Sequence, residues 1–288
     1  MASTQQLKRR IGSVKNTKQI TKAMELVAAS KMRRAQENAA RSRDYRNLAR
    51  QILSRLRELT DVSKHPLYNQ RTVKTRLHIV VASDRGLAGA YNSNIFRQFA
   101  KELQADKDQG IASQAIVVGK QISQFASRLE QCEVVAAYHD FPEHPTANDI
   151  RPILSTIIEL FEAKTVDAID IIYTDFISSI RQDVVVDRLL PAAFQEVAVP
   201  ADLEQATFEP SARAVLESVT TRLIESQLSQ ALLEAQASEH SMRMMAMKSA
   251  TDNANDLIDD LTLAFNTARQ AGITQELAEI TGGAEAIQ

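Results

Sequence analysis

Three stretches of the chain hold residues whose types could do chemistry. The first is Ser83-Asp84-Arg85-Gly86-Leu87-Ala88-Gly89, which follows the apolar run Leu77 to Ala82 and precedes a helical pattern from Asn92 to Asp106. Nucleotide-binding loops sit at such strand-to-helix turns, where backbone N–H groups can cradle phosphate. The residues those loops need are missing: there is no G-x-G-x-x-G, no G-x-x-x-x-G-K-[ST] and therefore no phosphate lysine. A tight turn whose glycines supply positive φ accounts for the same stretch. The second is His139-Asp140 with Glu143-His144, the one His/acid cluster, which could in principle ligate a divalent metal. Pro142 and Pro145 mark it instead as a surface loop, and no Cys or further His stands at ligand spacing, so no metal is expected. The third is Met242, Met244, Met245 and Met247, four methionines in six residues that cover most of a helix circumference. One or two can fill a core, and the outward members suit contact with an adaptable surface. With no nucleophile elbow and no H-E-x-x-H, neither a catalytic residue nor a cofactor is expected.

The elements around these stretches are more informative. Ser211 to Ala271 is sixty-one residues without glycine or proline, bounded by Pro210 and Gly272. Proline before a helix and glycine after it are the usual punctuation, so one helix of roughly 90 Å is expected. That length needs a partner, and its scattered charges exclude a membrane span. Ala246, Ala250, Asn253, Leu257, Leu261, Ala264 and Ala268 form a row with an eleven-residue repeat. Such a repeat predicts a nearly straight rod in place of a left-handed supercoil. At the other end, Ser13 to His65 is again free of glycine and proline, Ser3 and Gln6 have capping-box spacing, and Pro66 closes the run. There the seven-residue row Leu7, Val14, Thr21, Ala28, Ala35, Ser42, Ala49 and Leu56 is uncharged throughout. It reads as a seam of small residues, allowing close approach but burying little area.

Between the two helices, strands are expected at Leu77 to Ala82, Ala115 to Val118, Glu133 to Tyr138, Ala168 to Thr174 and Val184 to Leu190. They alternate with helices at Asn92 to Asp106 and Ala147 to Lys164. The fold class is α/β: a central Rossmann-like α/β domain (71–200), with an N-terminal long helix (1–65) and a C-terminal long helix (208–288) forming an antiparallel coiled coil. The segment Ala198 to Glu209 reads as a linker. The net charge of −2 conceals an asymmetry: residues 1–57 hold 15 Lys+Arg against 3 Asp+Glu, and 208–288 hold 5 against 12. The two helices are expected to pair through these charges, although a basic helix could also bind RNA. An RNA-binding coiled-coil arm should interleave aromatics, yet Tyr45 is the only aromatic residue in 1–57. A single cysteine, Cys132, excludes an intrachain disulfide, and no targeting or membrane-spanning segment is apparent.

Three segments together resemble one family, the γ subunit of ATP synthase. Arg10-Ile11-Gly12-Ser13-Val14-Lys15-Asn16-Thr17-Lys18-Gln19-Ile20-Thr21-Lys22-Ala23-Met24-Glu25-Leu26-Val27-Ala28-Ala29-Ser30-Lys31 is similar to its N-terminal signature. Ser83 to Gly89 with Tyr91-Asn92 resembles its S-D-R-G-L-C-G loop. Glu239-His240, Arg243-Met244, Ala246-Met247, Ala250-Thr251 and Asn253-Ala254, continuing through Arg269-Gln270-Ala271, Ile273-Thr274, Glu276-Leu277 and Glu279-Ile280, resembles its C-terminal signature. Because that signature runs past Gly272, the second helix is expected to continue to about Thr281, with Gly282-Gly283 as its terminus and a tip that outlasts the first helix.

The resemblance implies a rotor shaft without catalytic residues of its own. It would turn inside an α3β3 hexamer with the ε subunit and the c-subunit ring below, coupling proton-driven ring rotation to the conformational cycle of the β subunits. Carried over by motif, Met24, Lys31, Arg243, Arg269, Gln270 and Thr274 would face the hexamer, and Phe208, Glu209 and Pro210 would lie on the c ring and ε side. The implied location is peripheral, on the cytoplasmic face of the cell membrane, held there through the c ring, with no nucleic-acid partner. Ala88 stands where many relatives have cysteine, and the paired-cysteine insert of chloroplast relatives is missing, which with the lack of a transit peptide implies a bacterial type.

Overall fold

The computed structural model describes residues 4–59, 65–142, 145–192, 208–209 and 211–285, with the backbone alone for 40–47, 50, 57–58 and 282–285. The chain divides into two compact units, one of Ala29–Met242 and one of Met1–Ala28 with Arg243–Gln288. In order, the elements are α1 (Thr4–Leu59), a 3₁₀ turn (Pro66–Tyr68), β1 (Thr75–Val81), α2 (Tyr91–Asp108), β2 (Ala112–Val118), α3 (Lys120–Ala126), β3 (Glu133–Tyr138), α4 (Ala147–Glu162), β4 (Ala168–Phe176), β5 (Gln182–Leu190) and α5 (Ala212–Glu285). All five expected strands are present. The helix α3 follows from no periodicity legible in its seven residues. The capping residue Ser3 and the expected linker from Ala198 to Thr207 lie outside the described residues.

In the larger unit the sheet has the order β3-β2-β1-β4-β5, parallel except for β5, which returns antiparallel on β4. β1 and β4, buried on both faces, read as continuous apolar runs because helices cover them on either side. On one face Val80, Ala115, Val117 and Ile172 pack against Tyr91, Ile95, Phe99 and Leu103 of α2 and Ile122 of α3. On the other, Leu77, Ile79, Ile116, Ile169 and Ile171 meet Ile153, Ile157 and Phe161 of α4 together with Ile224, Leu228, Ala231, Leu232 and Ala235 of α5. A separate cluster joins Ala49, Leu53 and Leu56 of α1 to Leu216 and Leu223 of α5, with Tyr68 Oη and Thr220 Oγ1 bonded at 3.1 Å.

One polar knot lies inside this unit. His78 Nε2 meets Asp106 Oδ2 at 2.7 Å with both side chains fully buried, and Ser113 Oγ donates to the same oxygen at 3.0 Å. Arg76 Nη1 sits 2.8 Å from Asp106 Oδ1, and Arg188 grips Asp170. Burial pushes the Asp106 carboxyl up, but His78, Arg76 and Ser113 together outweigh it and hold the group below its usual range.

In the smaller unit the α1 seam is as expected: Leu7, Thr21 and Ala28 are buried and Val14 half-buried. On α5 the expected eleven-residue row is corrected. Asn253, Leu257 and Ala264 are exposed, Ala246, Ala250, Leu261 and Ala268 of that row are half-buried, and the positions Met247, Thr251, Ala254, Ile258, Leu261, Phe265 and Ala268, all covered, run alternately four and three apart. That is a heptad, so the reading of a straight rod loses its basis. The two rows share Leu261 and Ala268 and part elsewhere because alanine and leucine occupy both faces, and the partner decides which is used. Thr21 Oγ1 and Thr251 Oγ1 meet at 2.8 Å, and each also reaches a carbonyl of its own helix, Lys18 O at 3.0 Å and Met247 O at 2.8 Å. With α1 positions 49–56 against 216–223 in one unit and Thr21 against Thr251 in the other, the helices pair antiparallel. Ser211 Oγ caps α5 by accepting from Ala214 N at 3.2 Å. The helix runs through Gly272, Gly282 and Gly283 to Glu285, beyond the expected terminus.

Two outcomes follow for stability. Asp106 has a folded pKa below its unfolded value near 3.8, so its contribution is present above that value and lost as pH falls through the folded one. In urea titrations Asp106→Asn should lose about 3 kcal/mol at pH 7, with the gap to wild type narrowing below pH 4. Thr21→Val and Thr251→Val should each cost about 1 kcal/mol and the double variant no more than either single, since each hydroxyl falls back on its own helix carbonyl.

Candidate interaction surfaces

Ligands of a doubly wound sheet bind outside the carboxyl ends of its strands, where the strand order reverses. Here β1 is that point, with β2 on one side and β4 on the other. The Ser83 to Gly89 loop is closed on itself: Ser83 Oγ donates to Arg85 O at 2.6 Å, and Asn92 Nδ2 donates to Ser83 Oγ at 2.8 Å. Asp84 Oδ1 accepts from Lys120 N at 3.0 Å. Gly119, at the end of β2, has φ +109°, and a Cβ there would lie 2.3 Å from Ala82 O, so only glycine lets these backbones pass. The crevice is lined by Val81, Asp84, Tyr91 and Gly119, and from α5 by Leu232, Ala235 and Gln236, leaving about 50 Å³ of free space. That holds a few waters, whereas cofactor sites run to several hundred Å³. Tyr91 Oη donates to Ala235 O at 3.2 Å, closing α5 onto this end of the sheet.

Of the His/acid cluster, Asp140 is ion-paired with Lys120 at 2.7 Å, and Glu143 and His144 lie outside the described residues. Among the described residues no three His, Cys, Asp or Glu side chains are grouped as metal ligands. Cys132 is buried, and burial first, then the nearby Asp106 and Glu133 charges, push its thiol up to about 12. A thiol so protonated is a packing residue at neutral pH.

The sequence-derived positions fall into distinct settings. Met24 is half-buried, and Lys31 and Arg243 are half-buried and engaged with neighbours. Arg269, Gln270 and Thr274 are exposed on one stretch of α5, where Thr274 Oγ1 donates to Gln270 O at 3.0 Å. Phe208 packs against the cluster of Leu53 and Leu223, Glu209 is exposed, and Pro210 lies outside the described residues. Among the methionines, Met247 is buried, Met242 packs against the cluster of Val80 and Ile172, and Met245 is the exposed one.

Sequence reasoning missed the outward apolar residues. Ile20, Leu26 and Val27 of α1 and Leu263, Leu277 and Ile280 of α5 are each more than half exposed. Their signal is apolar side chains outside the seam row. From Arg269 to Thr281 every residue is exposed, an unpartnered helix end. The expected pairing of the two helices through charge is not made by the first basic residues of α1, whereas Lys31 and Arg55 of α1 and Glu234, Glu239 and Arg243 of α5 are engaged with neighbours. Among the described residues Lys8, Arg9, Arg10, Lys15 and Lys18 form no ion pair, and Lys22 bonds Glu25 of its own helix at 3.0 Å. The buried seam positions are apolar and hydroxyl side chains, and an ion pair at the exposed rim beside them is worth little.

Comparison with known proteins places this arrangement. The sequence profile of the ATP synthase family matches residues 3–287. The ATP synthase gamma chain of Stenotrophomonas maltophilia (strain R551-3) is 41% identical over 288 residues, covering all of both chains, and that of Xanthomonas axonopodis pv. citri (strain 306) is 39% identical over the same span. Among solved structures, a chain of the Euglena gracilis mitochondrial ATP synthase OSCP/F1/c-ring assembly superposes with a TM-score of 0.67 at 16% identity, covering 99% of this chain and 94% of that one. A chain of the Tetrahymena thermophila central stalk/c-ring superposes with a TM-score of 0.59 at 23% identity, covering 80% of this chain and 99% of that one. At those identities the two superpositions speak for the fold, and the full-length sequence matches carry the relationship. The chain belongs to the ATP synthase γ chain family.

Proposed function

We propose that this chain is the central rotor shaft of an ATP synthase, coupling proton-driven rotation of a c-subunit ring to the conformational cycle of catalytic β subunits in an α3β3 hexamer, with ε as a further rotor partner. The observation that carries this is full-length identity of 39–41% to γ chains, joined to an antiparallel helix pair whose second member ends in a bare segment from Arg269 to Thr281. Residues 1–65 and 208–288 act as the shaft and 71–200 as the domain that takes up torque. The chemistry of ATP lies on its partners, and this chain carries no catalytic site of its own.

The physical character of the surface fits the role. A shaft that turns in its housing needs contacts that are weak at every angle. Single exposed apolar residues such as Ile20, Val27, Leu263 and Ile273, set among charges, give many shallow contacts and no deep anchor. Asp252, Asp256, Asp259 and Asp260 keep one side of α5 strongly acidic. Met24, Lys31, Arg243, Arg269, Gln270 and Thr274 are the positions assigned to the hexamer, and Phe208 and Glu209, with Pro210, to the c-ring side. No helix among the described residues is long and apolar enough to cross a membrane. In this proposal the chain works at the cytoplasmic face of the cell membrane, attached through the c ring. The RNA-arm reading of the basic α1 finds no support in these relatives.

The test is reconstitution with α and β subunits and a probe on the sheet domain. ATP should drive unidirectional turning, and a failure to form a complex, or turning without this chain, overturns the proposal. Arg269→Gln, at an exposed site, should leave the thermal midpoint unchanged while lowering torque or coupling roughly twofold to tenfold. Arg243→Gln should act in the same direction, and a loss of helical signal instead would make its role structural.

A further inference from the structure

The turn between β4 and β5 is tied to α5 by a closed circuit of hydrogen bonds. Ser241 is fully buried, near the end of the part of α5 that belongs to the larger unit. Its hydroxyl donates to the Ser179 carbonyl at 3.0 Å and accepts from Gln182 Nε2 at 3.1 Å. Gln182 Nε2 also donates to the Ser178 carbonyl at 2.8 Å. The turn closes on itself, with Ser178 N donating to Arg181 O at 2.9 Å and Arg181 N donating to Ser178 Oγ at 3.0 Å. One hydroxyl on α5 therefore engages both the turn and the first residue of β5.

The rest of this contact is of another kind. Ile224, Leu228, Ala231, Leu232 and Ala235 meet the sheet through apolar surface, and Met242 packs against the apolar cluster on its other face. Apolar contact is non-directional and follows the area covered, so it opposes a small turn of the helix about its axis only through the fit of its side chains. A hydrogen bond weakens steeply with angle and so resists that turn. Ser238, one turn earlier and equally buried, has an Oγ without a partner among the described residues. Tyr91 Oη bonds Ala235 O and Gln236 Nε2 donates to Pro142 O at 2.9 Å farther back on α5, and Glu239, His240 and Arg243 are engaged with neighbours, while Ser241 is the fully buried hydroxyl that joins α5 to the hairpin.

We propose that Ser241 and Gln182 form a clasp that fixes the rotation of α5 about its own axis relative to the sheet, making the β4–β5 hairpin the element through which torque enters the helix. Its consequence for torque rests on the rotor reading above; the clasp itself does not. Ser241 is a positioning residue, acting through the hairpin.

The experiment has two arms and an internal control. In the isolated full chain, hydrogen exchange of the Ser178 and Arg181 amides should quicken about tenfold in Ser241→Ala and in Gln182→Ala, and remain at the wild-type rate in Ser238→Ala. In the complex with α and β subunits, stalled without ATP, the angular variance of a probe on the sheet domain should rise about twofold in the first two variants only, with the rotation rate under ATP unchanged. Wild-type exchange in Ser241→Ala and Gln182→Ala, or equal quickening in Ser238→Ala, overturns the clasp. Faster exchange with unchanged variance overturns its role in torque. A wild-type chain that does not assemble overturns the rotor reading instead, and the exchange arm still decides the clasp. Gln182→Ala opens the same circuit from the half-exposed side, so the outcome does not depend on Ser241→Ala folding.

Discussion

The structure depends on one helix, α5, being packed from two sides at once. Between Leu216 and Ala235 it gives Ile224, Leu228, Ala231 and Leu232 to the sheet and α4, while Leu216 and Leu223 go to α1. A helix held that way cannot present a simple amphipathic stripe, and α5 is buried on most of its circumference there. The same helix supplies Leu232 and Ala235 to the crevice where a doubly wound sheet would otherwise seat a ligand. Filling that crevice with helix exchanges a binding site for a rigid attachment.

Away from the sheet the energetics change. The fully covered seam of the smaller unit mixes Leu7 and Met247 with Thr21, Ala28, Thr251 and Ala254, small side chains that bury little area. The hydroxyl pair Thr21–Thr251 sets register by direction more than by energy, because either partner can bond its own helix. The large apolar residues that could have strengthened the seam, Ile20, Val27 and Leu263, are turned outward. A chain selected for stability alone would place them inside; one that must make shallow, changing contacts has a reason to expose them.

The larger unit shows the opposite economy. Its sheet is covered on both faces, and its charged residues are drawn into a knot of Arg76, His78, Asp106, Asp170 and Arg188. Breaking one member leaves a buried charge without compensation, so the knot ties α2 to β1, β2, β4 and β5 as a single piece. A stiff body of this kind suits a domain that passes force to a helix instead of yielding to it.

Much of this was legible in the sequence. The uninterrupted runs from Ser13 and Ser211 gave both helices, because the absence of glycine and proline over such lengths has few other meanings. The α1 row from Leu7 to Leu56 named its buried face, since an uncharged row within a basic helix stands out. The five β-rich runs gave the strands, and the three signatures gave the family. What the sequence left open were choices between alternatives of equal local merit. Alanine and leucine lie on several faces of α5, so an eleven-residue row and a heptad that shares Leu261 and Ala268 with it were both available, and contact with Thr21 selected the heptad. Gly272, Gly282 and Gly283 read as stops, yet an extra Cβ at Gly272 would meet nothing, and the helix crosses it at a cost of about 1 kcal/mol relative to alanine. The sequence by itself determined which segments are helix and strand and which family they compose, because those follow from local pattern. Only the tertiary structure decided which face of α5 is covered, which apolar residues remain outside and which hydroxyl grips the hairpin, because each depends on a partner far away in the chain.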